Sequence, residues 1–449
     1  MQTIHQKVFK SYDVRGIYPT DLTVETAFLI GQAYAQLTSA KKVVIGRDMR
    51  IGSPELAAAL IKGLTSQGVI VDDIGMVSID MTYFTVGTYD YDGGMMVTAS
   101  HNPREYNGIK MVVKHGDQLQ YVRGKELYDF IQDKKFTDSD QPGTVQSRDV
   151  MNAYIQHVLS FVDQKALKPF TIVVDAGNGM AGKVIPELTK QLPGTIIPLN
   201  FTLDGTFPAH PSNPLMPESQ VEITQAVIKH KADFGVIFDG DTDRLFFVTE
   251  TGVFIRADAT LLILAKYFLE RYPGAGIAYN VICSKAVPER IAEWGGRPLR
   301  SKVGFVNVAQ TMREGDGVMS GELSAHYAYK DNFYADSGFI SFAILWMLIS
   351  QHNKKLSTLV ADLIPYAKSD EINIETDETL KVITEVKQKY ADGTQDELDG
   401  LTVQYPTWWF NVRPSNTEPL LRITLEADTP ELLEEKKTEV VSYIKSIIA

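Results

Sequence analysis

The chain has 449 residues, which is more than one hydrophobic core usually supports. Hydrophobic residues make up 44% of it and charged residues 22%, a balance typical of a soluble globular protein. Its formal net charge of −12 argues against a nucleic-acid partner, and an anionic substrate would need locally clustered arginine and lysine. The single cysteine, Cys283, excludes an internal disulfide framework, and the lack of an apolar signal region or a run of 18 apolar residues predicts a cytoplasmic enzyme without a membrane partner.

Apolar strands alternate with amphipathic helices in the first part of the chain. The spacing of apolar residues predicts a helix over 24–37, and the run at 43–45 predicts a short buried strand. Residues 53–55 supply a serine cap, a proline in the first turn and an acid near the positive end, so they predict the start of a helix that ends near Gly68. A strand at 69–71 follows. This order predicts parallel strands joined by right-handed crossovers.

The same pattern restarts twice. A strand at 171–175 precedes a helix from about Ala181, and a strand at 234–238 ends in an acidic loop. A third unit has a predicted helix over 261–268 and a strand over 276–282. Three α/β units of similar size suggest a loose internal repeat, without a strict repeat of the sequence.

The composition changes after about residue 370, where charged helical sequence precedes an aromatic strand and a terminal helix over 430–448. Linkers are predicted near 141–143, near 250–252 and near Pro365. The last segment is therefore interpreted as a smaller α+β domain. We predict four domains, with the bounds 1–147, 148–250, 251–366 and 367–449.

The acidic loop carries three carboxylates at alternate positions, Asp239, Asp241 and Asp243, directly before Arg244. Hard oxygen ligands suit Mg²⁺, and a guanidinium binds phosphate oxygens in pairs. A solvated acidic turn is the plainer alternative. A calcium EF-hand is a poor match, although Glu250 falls at its twelfth position, because Arg244 occupies the sixth position, where that loop requires glycine.

An isolated serine lies in a turn after the apolar run 95–97. A serine beside a divalent ion would suit phosphoryl transfer through a phosphoserine, which makes Ser100 a candidate nucleophile. His101 could orient a phosphate or move a proton, and Lys110 could reach the same site. Each also has a plainer interpretation, as a structural serine, a turn histidine and a surface lysine.

Three further polar segments are dispersed along the chain. Arg15 lies in a glycine turn near the N-terminus, the segment 321–326 offers a carboxylate, a hydroxyl and an imidazole, and the segment 413–417 offers an arginine, two hydroxyls and an amide. The second set could bind a polyol, and the third could cradle an anion. Each alone could be ordinary loop sequence. The evidence that they form a functional site is that they occur together, each in a different predicted domain.

Together these segments resemble the α-D-phosphohexomutase superfamily, most closely its phosphomannomutase/phosphoglucomutase branch. The resemblance extends from residue 12 to residue 419 and rests on six motifs in the expected order: YDVRG, TASHNP, NGIK, DGDTDR, GELSAH and RPSNTEP. It implies an α/β protein. Three related α/β domains with mixed sheets and a mobile C-terminal α+β lid domain would surround a central cleft.

The resemblance also implies roles for individual residues. Ser100 would be a phosphoserine, and Asp239, Asp241 and Asp243 would hold Mg²⁺ together with an oxygen of Ser100. The residues implied near the transferring phosphate and the reacting oxygen are Arg15, His101, Lys110, Arg244 and His326, of which Arg15, Lys110 and His326 are candidates for general acid or base. The residues implied in substrate binding are Tyr12, Glu322, Ser324, Arg413, Ser415, Asn416 and Thr417.

The implied reaction interconverts a hexose 6-phosphate and a hexose 1-phosphate of mannose or glucose through a hexose 1,6-bisphosphate, which would also activate the enzyme. The hexose monophosphate is the expected partner, and the chain is expected to be a monomer or a homodimer. A phosphoglucosamine mutase is the nearest alternative. A serine-dependent sugar phosphatase and a non-catalytic sugar-phosphate sensor belong to other classes.

The chain departs from the pattern at two positions. Phe305 stands where this branch commonly has a histidine, which removes one expected hydrogen-bond donor, and Ala325 replaces the usual glycine of the sugar loop. Leu323 is closer to the methionine of the mannose and glucose enzymes than to the glutamine of phosphoglucosamine mutases. It therefore favours a neutral hexose.

Overall fold

The computed structural model describes residues 5–132, 134–415 and 419–448. It forms two compact units. The first comprises Met1–Arg256 and Ser324–Leu359, and the second comprises Ala257–Leu323 and Val360–Ala449. The predicted domain bounds stay predictions. Short 3-10 helices lie at Gln6–Val8, Gln164–Ala166 and Lys330–Asn332.

The first unit opens with a mixed sheet that has helices packed on it. Its strands are β1 (Val14–Ile17), β2 (Lys42–Arg47), β3 (Ile70–Met76), β4 (Gly93–Val97), β5 (Tyr106–His115), β6 (Gln118–Tyr121) and β7 (Val145–Ser147). Its helices are α1 (Val24–Thr38), α2 (Ser53–Ser66), α3 (Ile79–Thr88) and α4 (Gly124–Gln132). The order is β1-β5-β4-β2-β3-β7, with β6 on β5. Strands β4, β2 and β3 are parallel as predicted, and β5 is antiparallel to β1 and β4.

The start of α2 corrects one prediction. Gly52 is the residue that precedes the helix, and Ser53 is already helical, so the serine is not the cap. Its hydroxyl instead donates to Asp48 Oδ1 at 2.5 Å, because both residues are buried where β2 ends. The strand predicted at 69–71 begins one residue later and extends to Met76.

A second mixed sheet completes this part of the first unit. Its elements are α5 (Met151–Leu159), β8 (Thr171–Asp175), α6 (Ala181–Thr189), β9 (Thr195–Leu199), α7 (Pro217–His230), β10 (Phe234–Phe238) and β11 (Leu245–Thr249). The order is β11-β10-β8-β9, with β10, β8 and β9 parallel and β11 antiparallel. Every residue of β10 and β11 is buried, as their apolar runs predict, so the turn between them is held by two core strands.

The next elements belong to the second unit. They are α8 (Ala257–Arg271), β12 (Gly276–Asn280), α9 (Ala286–Glu293), β13 (Arg297–Ser301), α10 (Phe305–Glu314) and β14 (Gly317–Gly321). Strands β13 and β14 lie parallel on either side of β12. The chain then returns to the first unit with β15 (Tyr327–Tyr329), β16 (Ala335–Asp336) and α11 (Gly338–His352), and α12 (Leu356–Val360) follows at the boundary between the units in the sequence. Helix α11, which had no counterpart in the sequence analysis, is apolar on all sides because it is buried over nearly its whole length.

The C-terminal part of the second unit is the predicted α+β segment. Its elements are β17 (Ala367–Lys368), β18 (Ile372–Glu375), α13 (Thr379–Lys389), β19 (Thr394–Asp396), β20 (Leu401–Gln404), β21 (Trp408–Pro414), β22 (Leu420–Ala427) and α14 (Pro430–Ile448). The strands are antiparallel in the order β17-β22-β21-β20-β19, with β18 also on β22. Across the described part of the chain, no helix combines the length and apolarity needed to cross a membrane.

Candidate active site

The candidate nucleophile lies between β4 and β5. Ser100 is 1% exposed, and its φ of +51° falls in the left-handed region that a serine rarely adopts. Its N–H donates to Thr98 Oγ1 at 3.0 Å, and its hydroxyl donates to Asp239 Oδ2 at 2.7 Å. His101 Nδ1 lies 3.3 Å from the same hydroxyl oxygen. The hydroxyl is therefore held against the acidic loop.

The acidic loop is the turn between β10 and β11. Asp239 Oδ1 accepts the N–H groups of Thr242 at 3.1 Å and Arg244 at 3.2 Å, which fixes this carboxylate across the turn. Thr242, at φ +79°, makes the turn tight enough for alternate side chains to converge. The three aspartates are buried, and one oxygen of each lies within 4.8 Å of the others.

These three carboxylates fit a divalent cation. The carboxylate oxygen Asp241 Oδ1 is buried and has no hydrogen-bond partner among the residues described. Burial, followed by the charges of Asp243 and Asp241, raises the pKa of Asp239 well above its ordinary value. A bound divalent ion would relieve this repulsion, and an all-oxygen donor set suits Mg²⁺.

Lys110 projects from β5 to the same carboxylates. Its Nζ lies 3.0 Å from Asp241 Oδ2 and also donates to Asp243 Oδ2. Burial opposes the ammonium charge, but the two aspartates outweigh it and raise the pKa of Lys110. The pKa of Asp243 is held well below its ordinary value, because the ammonium charge of Lys110 overcomes the penalty of burial.

Arg15, on β1, contacts the loop that carries the serine. Its Nη1 donates to Asn102 Oδ1 at 2.6 Å, and its Nη2 donates to Asp13 Oδ2. Burial opposes the charge of Arg15, but Asp13 outweighs it, so the pKa of Arg15 is raised. Tyr12 lies just before this strand and is partly buried. Sequence reasoning missed the two contacts of Arg15, because neither Asp13 nor Asn102 stands out from ordinary loop sequence.

Two histidines and a second arginine complete this part of the site. Arg244 Nε donates to His326 Nε2 at 3.3 Å, and His326 Nε2 lies 3.4 Å from Asp243 Oδ1. Ser324 Oγ is 2.8 Å from His326 Nδ1 and so orients the ring. Burial, together with Arg244 and Arg15, lowers the pKa of His101 well below its usual range. The structure therefore brings eight sequence-predicted residues together with Ser100: Arg15, His101, Lys110, Asp239, Asp241, Asp243, Arg244 and His326.

The second unit carries the predicted substrate residue Glu322. Its Oε2 accepts Asn280 Nδ2 at 3.0 Å and the N–H of Gly304 at 3.3 Å. Gly304, at φ +109°, has a backbone conformation that favours glycine, and Phe305 begins helix α10 directly after it. The expected histidine is thus replaced at a helix start, next to the residue that holds Glu322.

Arg413 lies on β21 in the same unit. Its Nη2 donates to Glu371 Oε2 at 2.7 Å, and its buried Nε has no hydrogen-bond partner within the described ranges. Ser415 Oγ accepts Arg422 Nη2 at 3.4 Å. The other two predicted members of this cradle, Asn416 and Thr417, lie outside the described residues.

Ala325 occupies the position where the resemblance leads one to expect glycine. Its φ is +66°, which explains why glycine suits this position, and its methyl group is fully buried.

Four family models match the chain in order. They are described as phosphoglucomutase/phosphomannomutase alpha/beta/alpha domain I at residues 6–138, domain II at 152–252, domain III at 256–366, and the C-terminal domain at 371–442. Together they cover most of the sequence.

Known proteins resemble the chain over nearly its full length. A phosphomannomutase of Escherichia coli is 35% identical over 451 residues, covering 97% of this chain and 99% of that protein. A phosphomannomutase/phosphoglucomutase of Pseudomonas aeruginosa is 36% identical over 453 residues, covering 99% and 97%. The crystal structure of a phosphoglucomutase/phosphomannomutase family protein from Burkholderia thailandensis has a TM-score of 0.89 at 32% identity, covering 99% and 98%.

Proposed function

The chain belongs to the phosphoglucomutase/phosphomannomutase family and is a hexose-phosphate mutase, and from that premise we propose that it carries the transferred phosphoryl group on Ser100 and requires Mg²⁺. The family, the mutase activity and the four-domain α/β architecture predicted from the sequence are confirmed. The roles of individual residues, the metal and the preferred sugar are the subject of the proposal.

One observation carries the assignment of Ser100. Its hydroxyl oxygen is 2.7 Å from Asp239 Oδ2, in a cluster where Asp241 keeps a buried carboxylate oxygen without a partner among the described residues. A serine held at a cluster of acids is poorly explained as a structural residue, because one hydrogen bond from its hydroxyl does not offset the mutual repulsion of three buried carboxylates. A cation site beside a nucleophile explains both features.

Charge stabilisation is the main contribution of this site to catalysis. Mg²⁺ held by Asp239, Asp241 and Asp243 would neutralise negative charge on the transferring group. Arg244 suits the phosphoryl oxygens because its guanidinium can donate two parallel hydrogen bonds. Lys110 offers a further positive charge. Phosphoryl transfer depends mostly on such positioning and electrostatics.

The proton must also be moved. When the phosphoserine donates, its P–O bond to Ser100 Oγ breaks and a P–O bond to the sugar hydroxyl forms. The hydroxyl proton passes to a base, and the departing Ser100 Oγ takes up a proton to become a hydroxyl again. The raised pKa values of Lys110 and Arg15 favour charged, proton-holding roles for both. We assign the base to His326, whose ring is oriented by Ser324 at 2.8 Å.

Substrate recognition is assigned to the remaining predicted residues. Glu322 is a buried carboxylate that suits sugar hydroxyls, and Arg413 suits the phosphate that does not react. Tyr12 and Ser324 would contact the sugar, and Ser415 would support the phosphate, with Asn416 and Thr417 as further predicted contacts. The hexose 1,6-bisphosphate must be accepted in two orientations, so these contacts should serve both phosphates in turn.

Mannose and glucose phosphates are the proposed substrates. The proposal rests on Leu323 in the sugar loop, which is closer to the methionine of the mannose and glucose enzymes than to the glutamine of phosphoglucosamine mutases. Phe305 lacks the hydrogen-bond donor of the histidine that this branch commonly has at its position. Hydrolysis of the phosphoserine would compete with transfer, so water must be excluded while the intermediate turns.

A coupled assay tests this function. Mannose 1-phosphate, glucose 1-phosphate and glucosamine 1-phosphate are each supplied with Mg²⁺ and a trace of hexose 1,6-bisphosphate. We expect formation of the 6-phosphate, fastest with mannose or glucose, and intact-protein mass spectrometry should place one phosphoryl group on Ser100. Fastest turnover of the glucosamine substrate would overturn the sugar assignment, and release of inorganic phosphate alone would indicate a phosphatase.

A further inference from the structure

A fully buried arginine lies under the loop that carries Ser100. Arg50 is 1% exposed and lies three residues after the end of β2. It forms no part of the motifs that pointed to the site. Burying a guanidinium is costly unless its donors are satisfied by nearby acceptors. Its contacts therefore indicate what the charge is for.

Within the described residues, every hydrogen bond of its terminal nitrogens ends on a backbone carbonyl of one short segment, residues 100–106. Nη2 donates to the carbonyl oxygens of Ser100 at 2.8 Å and Asn102 at 2.6 Å. Nη1 donates to the carbonyl oxygens of Pro103 at 2.8 Å and Tyr106 at 3.0 Å. One rigid, planar group thus fixes four points of the backbone, beginning at the candidate nucleophile itself.

The guanidinium is in turn held from its other sides. Arg50 Nε forms an ion pair with Asp48 Oδ2 at 3.4 Å, without a hydrogen bond among the described residues, and the backbone N–H of Arg50 donates to Asp48 Oδ1 at 3.0 Å. The ring of Phe207 lies 4.8 Å from the guanidinium carbon, so an aromatic face covers the cation. The side chain is therefore pre-organised and does not adapt to the loop.

Ser100 needs such support because of its backbone. A left-handed conformation costs a non-glycine residue energy and persists only where the surroundings enforce it. The carbonyl that Arg50 binds belongs to this strained residue, and the next three bonds hold the residues that follow it. Without these bonds the loop would be free to relax, and the hydroxyl would move away from Asp239.

We propose that Arg50 is a positioning residue for phosphoryl transfer, which locks the Ser100 loop in its strained conformation through its carbonyls and does not itself touch the substrate. This inference rests on the proposed role of Ser100. It predicts that Arg50 affects the rate of transfer to and from Ser100 much more than the binding of the sugar phosphate.

The test compares Arg50→Lys and Arg50→Ala with the wild-type enzyme. Lysine keeps the charge but presents a single nitrogen, which cannot span four carbonyls. We expect kcat for glucose 1-phosphate to fall on the order of 100-fold, because a misplacement of about 1 Å has that effect. KM should change by less than about threefold, as for a group that acts on the transfer step.

Two further measurements separate positioning from folding. In both Arg50 variants, the rate at which glucose 1,6-bisphosphate phosphorylates Ser100, measured by intact-protein mass spectrometry, should fall in parallel with kcat. Added guanidinium ion should restore part of the kcat of Arg50→Ala by occupying the space left by the side chain. Arg148 is the matched control, since its guanidinium also lies over an aromatic ring, that of Tyr89 at 3.7 Å, and within the described ranges it makes no contact with residues 98–106. Arg148→Lys and Arg148→Ala should keep the wild-type kcat and show no response to guanidinium.

The outcomes are distinguishable. Unchanged kcat in Arg50→Lys would overturn the inference, and so would a loss of thermal stability and kcat without any rescue by guanidinium. If the wild-type enzyme takes up no phosphoryl group on Ser100, the proposed function itself has failed. That result appears before any variant is made.

Discussion

The charged groups of the two units are held in different ways. Around Ser100, in the first unit, each charged group has several polar partners: Lys110 contacts two aspartates, and Asp239 accepts hydrogen bonds from two backbone N–H groups and the serine hydroxyl. In the second unit, the Arg413 side chain has one ion pair among the described residues, to Glu371, whose side chain is 29% exposed and also pairs with Arg422. Several partners hold a charged group in a fixed geometry, whereas a single partner that is partly exposed to water can exchange for a ligand, as the proposed phosphate-binding role of Arg413 would require.

This contrast predicts that substitutions in the first unit act on the rate and those in the second unit act on binding. The chemistry needs atoms placed within fractions of an ångström, because most of the rate of phosphoryl transfer comes from positioning. Recognition of a phosphate tolerates more movement, since one charge-assisted hydrogen bond contributes only about 1.5–3 kcal/mol. The predictions below test this division, beginning with the largest expected effect.

Ser100→Ala should abolish turnover while leaving binding of the sugar phosphate largely intact. The variant lacks the oxygen that carries the phosphoryl group, so kcat should fall by more than about 10⁴-fold. A coupled assay measures the rate, and calorimetric titration with glucose 6-phosphate measures the binding. Ser160→Ala, at an exposed hydroxyl on the end of α5, is the control and should keep full activity. Residual turnover above about 1% of wild type would refute the nucleophile.

Asp241→Asn should weaken Mg²⁺ binding and lower the rate together. This carboxylate supplies the buried oxygen that has no hydrogen-bond partner in the described part of the chain, so an amide there removes a charge facing the ion. We expect at least a 10–100-fold loss of apparent Mg²⁺ affinity, about the effect of altering even an outer-shell partner. Calorimetry with Mg²⁺ alone gives a readout independent of turnover.

The matched control for the metal site is Asp73→Asn. Asp73 is a partly exposed carboxylate of the same unit, paired with Arg47 at 3.3 Å. Its replacement should leave the Mg²⁺ titration unchanged. Equal titrations for Asp241→Asn and wild type would remove Asp241 from the ligand set.

Arg413→Ala should raise KM and leave kcat within a few-fold of wild type. Loss of one charge-assisted contact of about 1.5–3 kcal/mol corresponds to roughly a 10–150-fold change in binding. Arg422→Ala is the comparison, because both arginines contact Glu371 but the Arg422 side chain is 30% exposed and that of Arg413 is 6% exposed. A fall in kcat without a rise in KM would break the division between the two units.

The smallest expected effect concerns acid stability of the first unit. Burial lowers the pKa of His157, whose Nε2 lies 2.9 Å from Asn332 Oδ1. As the pH falls below the unfolded value of about 6.5, the unfolded chain takes up a proton that the folded protein resists, so stability is lost. His157→Gln should flatten this acid-side slope in urea unfolding measured between about pH 5 and pH 8.

The exposed His230, on α7, provides the control for this slope. His230→Gln is unfolded in urea over the same pH range, so that the effect of the same substitution at a solvent-exposed position can be subtracted. Identical slopes for His157→Gln and wild type would show that burial of this histidine has no bearing on acid stability.

The sequence by itself determined the family, the reaction class and the residues that meet around Ser100. Local signals sufficed for several elements: the strands at 171–175 and 234–238 and the helix at 430–448 were predicted with their observed bounds, since apolar runs and periodicity reflect burial directly. The alternate aspartates were recognised because all three lie within one segment of five residues, so that their spacing is visible in the sequence. Helix α11 was missed, because an apolar segment buried on all sides has no periodicity to detect.

Tertiary structure alone decided the supports of the site. Nothing local shows that Arg50 binds four carbonyls about fifty residues away, although its place after the carboxyl end of a parallel strand is a usable signal. The left-handed Ser100, the pairing of Arg15 with Asn102 and the burial of the Ala325 methyl group likewise depend on distant segments. Motifs record which groups perform chemistry, whereas the contacts that hold those groups in position form only when separate parts of the chain pack together.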